Sequence, residues 1–194
     1  MAPAQGASVR FNVVDADGKG VANAVLSVLL KGARTQAAGA APAQMVQPAQ
    51  MAQKDRQFQP QLLVVQTGTP VRFPNFDTVR HHVYSFSPVQ RFELKLYAAT
   101  PVAPVVFDKP GVALLGCNIH DRMQAAIVVV DTPHFSVTDA SGTATLELPA
   151  GEHRLAVWHA AMADTGAQFE RPFSVGTAAE QQLSVALPKS PGPP

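Results

Sequence analysis

The chain carries one cysteine, Cys117, in 194 residues. That excludes an internal disulfide, and it excludes zinc or iron–sulfur sites that need several thiolates. Charge is sparse at 15%, and the net value is +1 at pH 7. No field of one sign therefore favours nucleic acid or an anionic membrane surface. No apolar run approaches the roughly 18 residues of a membrane-spanning helix. No stretch holds a convincing 3.6-residue period, so amphipathic helices are not expected. The opening, MAPAQGASVRFNVV, lacks the basic end and apolar core of a signal peptide. A mature secreted chain with an added Met would read the same way.

What is present points to β structure. The chain is 46% hydrophobic and has 17 Pro and 13 Gly, a composition rich in turns. Residues 8–30 alternate apolar positions around a turn at Asp15–Gly20. Short β-rich runs follow at 61–66, 70–75, 81–87, 91–97, 103–107, 112–116 and 125–131. Turn signals such as Thr67–Gly68, Pro74–Asn75 and Pro110–Gly111 separate them. This spacing predicts an all-β sandwich or barrel. Residues 31–52 differ: they are rich in Ala, Gln and Pro and read as a flexible linker. Met45 and Met51 within that segment suggest a copper-loading arm less readily than an ordinary Met/Gln linker.

The densest chemistry lies in GCNIHDRM, residues 116–123. The lone thiol is followed by His120 at +3 and Met123 at +6. With 6 His and 5 Met in 194 residues, chance gives that pair at those offsets less than about once in a thousand. Upstream, FPNFDTVRHHVYSFS (73–87) sets His81 and His82 at the start of a strand. A thiolate, two imidazoles and a weak thioether make up the donor set of a blue-copper site. The alternative is an inert buried Cys beside a surface His and a core Met. His134, His153 and His159 sit at predicted strand ends and read as structural, Trp158 reads as core, and Arg91, Glu93 and Lys95 read as a solvated strand face.

Residues 53–131 resemble a cupredoxin of the amicyanin and plastocyanin kind. The resemblance rests on RQFQPQLLVVQTGTPVRFPN, NFDTVRHHV and VVFDKPGVALLGCNIHDRMQAAIVVV. It implies a cupredoxin-type Greek-key β-sandwich holding one type 1 copper on His81, Cys117, His120 and Met123. His81 stands six residues beyond Asn75, the family's spacing, although His82 replaces the usual Asn after that ligand and leaves the two histidines as alternatives. Gly116 stands where an aromatic or polar residue is common, which predicts a looser back to the site. The whole chain resembles the cupredoxin-like methylamine utilisation proteins, in HHVYSFS, RFELKLY, GCNIHDRM and DTPHF.

The flanks resemble something else. VVDADGKGVANAVLSVLL (13–30) and FSVTDASGTATLELPAGEHRLAVWH (135–159) resemble two halves of a transthyretin-like sandwich. The expected organisation is thus a split module from 1–30 and 135–190, the linker at 31–52 and a copper domain at 53–131. The resemblance implies single-electron shuttling in the periplasm with a c-type cytochrome or a periplasmic dehydrogenase as partner. A copper-binding or storage protein without a redox partner is the alternative. An enzyme is not expected, because multicopper oxidases and nitrite reductases need further His clusters such as His-x-His, and none occurs.

Overall fold

The computed structural model describes residues 6–32, 49–101, 103–162, 166 and 168–187. Its described residues form strands and turns without a helix, so the chain is all-β. Two compact units emerge: Met1–Thr35 with Thr132–Pro194, and Gln36–Asp131.

The first unit begins with β1 (Gly6–Val14) and β2 (Val25–Leu30). Ala7, Val9, Phe11 and Val13 recur at every second residue of β1, and all four are buried, as one sheet face requires. Between the strands, the Asp15 carboxylate accepts the amides of Asp17 and Lys19 at 2.9 Å each and closes the turn.

The second unit supplies the next ten strands. β3 (Ala49–Gln50), β4 (Ala52–Lys54) and β5 (Gln57–Gln59) are short. Then come β6 (Leu62–Gln66), β7 (Thr69–Arg72), β8 (His81–Ser85), β9 (Phe92–Tyr97), β10 (Val105–Phe107), β11 (Gly111–Gly116) and β12 (Gln124–Val130). One sheet runs β10-β7-β3 and another β6-β12-β11-β8-β9, with β4 and β5 as a separate hairpin. Pairing is antiparallel apart from β3 with β7 and β6 with β12, which are parallel. Both larger sheets contribute to one core, which includes Val65, Val71, Phe73, Val83, Phe107, Leu115, Cys117, Met123, Ile127 and Val129.

The tail returns to the first unit with β13 (Phe135–Val137), β14 (Thr143–Pro149), β15 (Gly151–Trp158), β16 (Phe169–Val175) and β17 (Glu180–Ala186). Here β14-β1-β17 forms one sheet and β13-β2-β15-β16 the other. Phe11, Leu26, Val28, Leu148, Leu155, Val157 and Phe173 fill the core of this unit.

The linker expectation over 31–52 needs correction at its end. Met45, Pro42 and Pro48 lie outside the described residues. Met51, however, is fully buried in the core of the second unit, and its amide donates to the Arg72 carbonyl at 2.9 Å. A single buried residue between two very short strands leaves no periodicity to read.

Candidate metal centre

Strand β11 ends at Gly116 and β12 starts at Gln124, and those two residues pair. The hairpin loop is therefore Cys117 to Met123. The Met123 amide donates to the His120 carbonyl at 2.9 Å, which folds the loop back on itself. Cys117 and Met123 point into the shared core at 4% and 1% exposure, while His120 is half-buried. The Cys117 Sγ lies 3.8 Å from His120 Nδ1.

His81 comes to the same place from the first residue of β8. A register shift against β9 falls between His81 and Val83: His81 faces Tyr97 and Val83 faces Leu94, so β9 spends one residue more than β8. Both His81 and Val83 are fully buried. One ring nitrogen each of His81 and His120 and the Cys117 sulfur all lie within 4.8 Å of one another. The two imidazole rings sit 5.0 Å apart between centroids.

The neighbouring His82 does something different. Its Nε2 meets Glu93 Oε1 at 2.8 Å and its ring lies 5.6 Å from that of Tyr84. Glu93, expected to be merely solvated, is the partner that occupies His82. Of the adjacent pair, His81 is thus the residue gathered with Cys117 and His120. His134, His153 and His159 take no part in that cluster, and His153 Nε2 instead donates to the Pro149 carbonyl at 2.8 Å.

The loop before β8 is pinned by Asn75, which is 6% exposed. Its amide group donates to the carbonyls of Val79 at 2.9 Å and Tyr97 at 3.0 Å. Its Oδ1 accepts the Asp77 amide at 2.9 Å. Asp77 in turn reaches His81: Oδ2 lies 2.7 Å from His81 Nε2. Burial works to raise the Asp77 carboxyl, but the Arg56 amide, the His81 ring and the Asp55 amide together hold it below the ordinary carboxylate range.

Two more side chains frame the site and were missed from sequence. Fully buried Gln53 donates to the Tyr97 hydroxyl and, at 3.3 Å, to the Phe73 carbonyl. Tyr97 donates its own proton to that same carbonyl at 2.8 Å. Burial pushes the Tyr97 phenol up to about 12, the Gln53 hydrogen bond opposes this, and the Cys117 charge adds to it. No local motif marks a Gln as a buried brace.

The back of the site is not loose. The ring of Tyr84 covers Gly116: a Cβ built there would lie 2.6 Å from the Tyr84 hydroxyl oxygen. Tyr84 pairs with Gly116 across the sheet, so the neighbouring strand fills the space that the glycine leaves.

Do these groups fit a metal? His81 Nδ1 is buried and has no hydrogen-bond partner. Leaving such an acceptor empty costs roughly 1–3 kcal/mol. Its other nitrogen is committed to Asp77, which is how metal-binding imidazoles are commonly oriented. Three donors about 2.0–2.3 Å from one ion would stand somewhat under 4 Å apart; the 3.8 Å Cys117–His120 separation already does. A soft thiolate with two borderline imidazoles favours copper over hard cations.

No family model matches the chain, and no curated protein matches it. Solved structures do. A copper-containing nitrite reductase from Thermus scotoductus SA-01 is 24% identical, with 48% of this chain and 24% of that chain covered at a TM-score of 0.42. An amicyanin variant in the Cu(I) form is 19% identical over 42% of this chain and 81% of its own, at 0.38. A purple cupredoxin from Nitrosopumilus maritimus is 22% identical over 42% of this chain and 99% of its own, at 0.37. The chain spans about a quarter of the reductase's length.

Proposed function

We propose that the unit Gln36–Asp131 is a cupredoxin-like domain that binds one type 1 copper and passes single electrons. The observation that carries this reading is the cluster of Cys117, His81 and His120, with the buried His81 Nδ1 left unpartnered in it. Met123 is the proposed fourth, weaker ligand; it is buried in the same core as Cys117, on the same hairpin loop.

When bound, copper supplies a one-electron Cu(II)/Cu(I) couple that soft and borderline donors accept in both states. The protein's part is to hold those donors. Cys117 and His81 are shut off from water, and the hairpin fixes Cys117 and His120 on one side while the Asn75-pinned loop fixes His81 on the other. Because packed strands and the pinned loop hold that frame, little needs to rearrange when the charge changes. His120 is the donor nearest solvent and the natural point of approach for a partner.

The sequence resemblance supports the finer parts of the proposal. These are a periplasmic location, a c-type cytochrome or periplasmic dehydrogenase as partner, membership of the methylamine utilisation type, and a transthyretin-like character for the first unit. We infer carrier rather than enzyme from the same resemblance of residues 53–131 to single-copper electron carriers.

Adding Cu(II) to the purified chain tests this directly. An intense visible thiolate-to-copper band at one copper per chain is expected, and Cys117→Ala should abolish it. Survival of colour and stoichiometry in that variant would refute the site. Rapid reduction by a c-type cytochrome is the expected mark of a carrier; slow exchange at an intact blue site would instead indicate copper storage.

A further inference from the structure

We propose that Asp77 is a positioning residue for the copper site: it fixes the tautomer of His81 so that the Nδ1 lone pair faces the cluster, and its charge favours the oxidised metal. The proposal rests on the copper reading above, but its first half concerns the metal-free protein.

Two oxygens of Asp77 meet three N–H groups. Oδ1 accepts the Asp55 amide at 2.7 Å. Oδ2 accepts the Arg56 amide at 3.0 Å and faces His81 Nε2 at 2.7 Å. An ionised carboxylate is an acceptor only. A neutral His81 ring therefore carries its one proton on Nε2. Nδ1 is left as a bare lone pair, buried and without a partner. With Nε2 turned to Asp77, Nδ1 is the nitrogen left to face the thiol and His120.

The anchor for Asp77 is itself fixed. Asp55 and Arg56 hold φ values of 55° and 56° in the tight turn joining β4 to β5, and their amides point at the carboxylate. Asn75 holds the Asp77 backbone from the other side. The carboxylate thus joins the β4–β5 turn to the first residue of β8.

The Asp side chain is only 14% exposed, so its charge acts on the cluster with weak screening. A fixed negative charge beside the site stabilises the more positive oxidation state. Asparagine matches the shape but not the chemistry. It has one acceptor atom for three donors, and its amide group would confront at least one N–H with another. When its Oδ1 takes the Asp55 amide, its NH2 group lies against His81 Nε2 and donates to it only with the His81 proton on Nδ1, which removes the lone pair a metal would use.

The test compares the natural chain with Asp77→Asn by ¹⁵N NMR of the His81 ring without metal, then by redox titration with copper. The expected result is an Nε2–H tautomer in the natural chain and substantial Nδ1–H in the variant. With copper, the variant should shift the balance towards Cu(I) by tenfold or more, which is 59 mV for a one-electron couple. Should Asp77→Asn fail to fold, Asp77→Ser keeps an acceptor near the turn amides while removing the charge, and its potential should rise in the same way. An Nε2–H tautomer that persists in Asp77→Asn overturns the positioning role, and an unchanged potential overturns the effect of charge. If the tautomer switches but the natural chain binds no copper, the positioning role stands and the copper reading falls.

Discussion

His81 and His82 share a peptide bond, and both are buried with Nε2 on a carboxylate and Nδ1 without a hydrogen-bond partner, but they face different groups. His81 is sealed in with the thiol, whereas His82 is held on the other face of β8 by Glu93. Alternation along the strand separates them, and His81 shares its buried face with Val83. His81→Ala should remove most of the thermal stabilisation that copper confers, and His82→Ala should leave most of it, as melting curves at equal copper excess would show. Equal losses would contradict the assignment of distinct roles. Tyr97 gives a second residue-scale prediction. Burial pushes its phenol up to about 12 in the folded chain, against about 10 when unfolded. A raised folded value means that this stability is complete below about pH 10 and is lost as pH climbs towards 12. Tyr97→Phe should flatten that alkaline loss. At neutral pH it should cost about 1–2 kcal/mol, since the Gln53 amide and the Phe73 carbonyl each lose one of their two hydrogen bonds. Denaturant titrations at pH 7 and pH 11 would check both effects.

At the scale of elements, the β11–β12 hairpin is a packed unit more than a flexible ligand loop. Gly116 is required there because the Tyr84 ring lies where a methyl group would go. Gly116→Ala should destabilise by about 1–3 kcal/mol, the usual cost of overpacking. Tyr84→Ala in the same chain should return much of that loss if the ring is the obstacle. Additive costs in the double mutant would show that it is not. In the other unit, Gly142 closes the turn before β14 at φ 82°, with the backbone of Val13 and Val21 only 2.6 Å from any added Cβ. There the obstacle is main chain, which no rotamer change can relieve. Gly142→Ala should therefore cost at least as much as Gly116→Ala, and a second substitution nearby should not restore it.

For the whole molecule, the two hydrophobic cores share no residue. The fluorophores divide in the same way. Trp158 is the lone tryptophan and belongs to the first unit, whereas Tyr84 and Tyr97 are the two tyrosines and belong to the second. Copper that binds the native state alone stabilises by about 4 kcal/mol at a thousandfold excess over Kd. The melting transition reported by tyrosine should rise by about 10 °C or more with copper, and the transition reported by Trp158 should stay where it was. Equal movement of both signals would show that the two units unfold as one. The metal-free chain should already melt cooperatively, because the second unit has a complete apolar core without metal.

Some of this could be read from local pattern alone. Alternating apolar residues and Gly/Pro turns dictated an all-β chain, because side-chain direction reverses at each residue of a strand. The offsets of Cys117, His120 and Met123 placed them on one short loop, since seven residues joining two strands have few ways to turn. Other features were decided only when distant segments met. β1 pairs in parallel with β17, more than 160 residues later, and no short-range signal specifies that partner. Met51 looked like linker and is core, because it joins a cluster whose members run from Phe58 to Val129. Tyr84 supplies the bulk that Gly116 lacks, and Asp77 holds the ring of His81. Both depend on which strands and loops lie side by side. Residue identity sets which donors and rings are available, but packing between distant elements sets which of them point at one another.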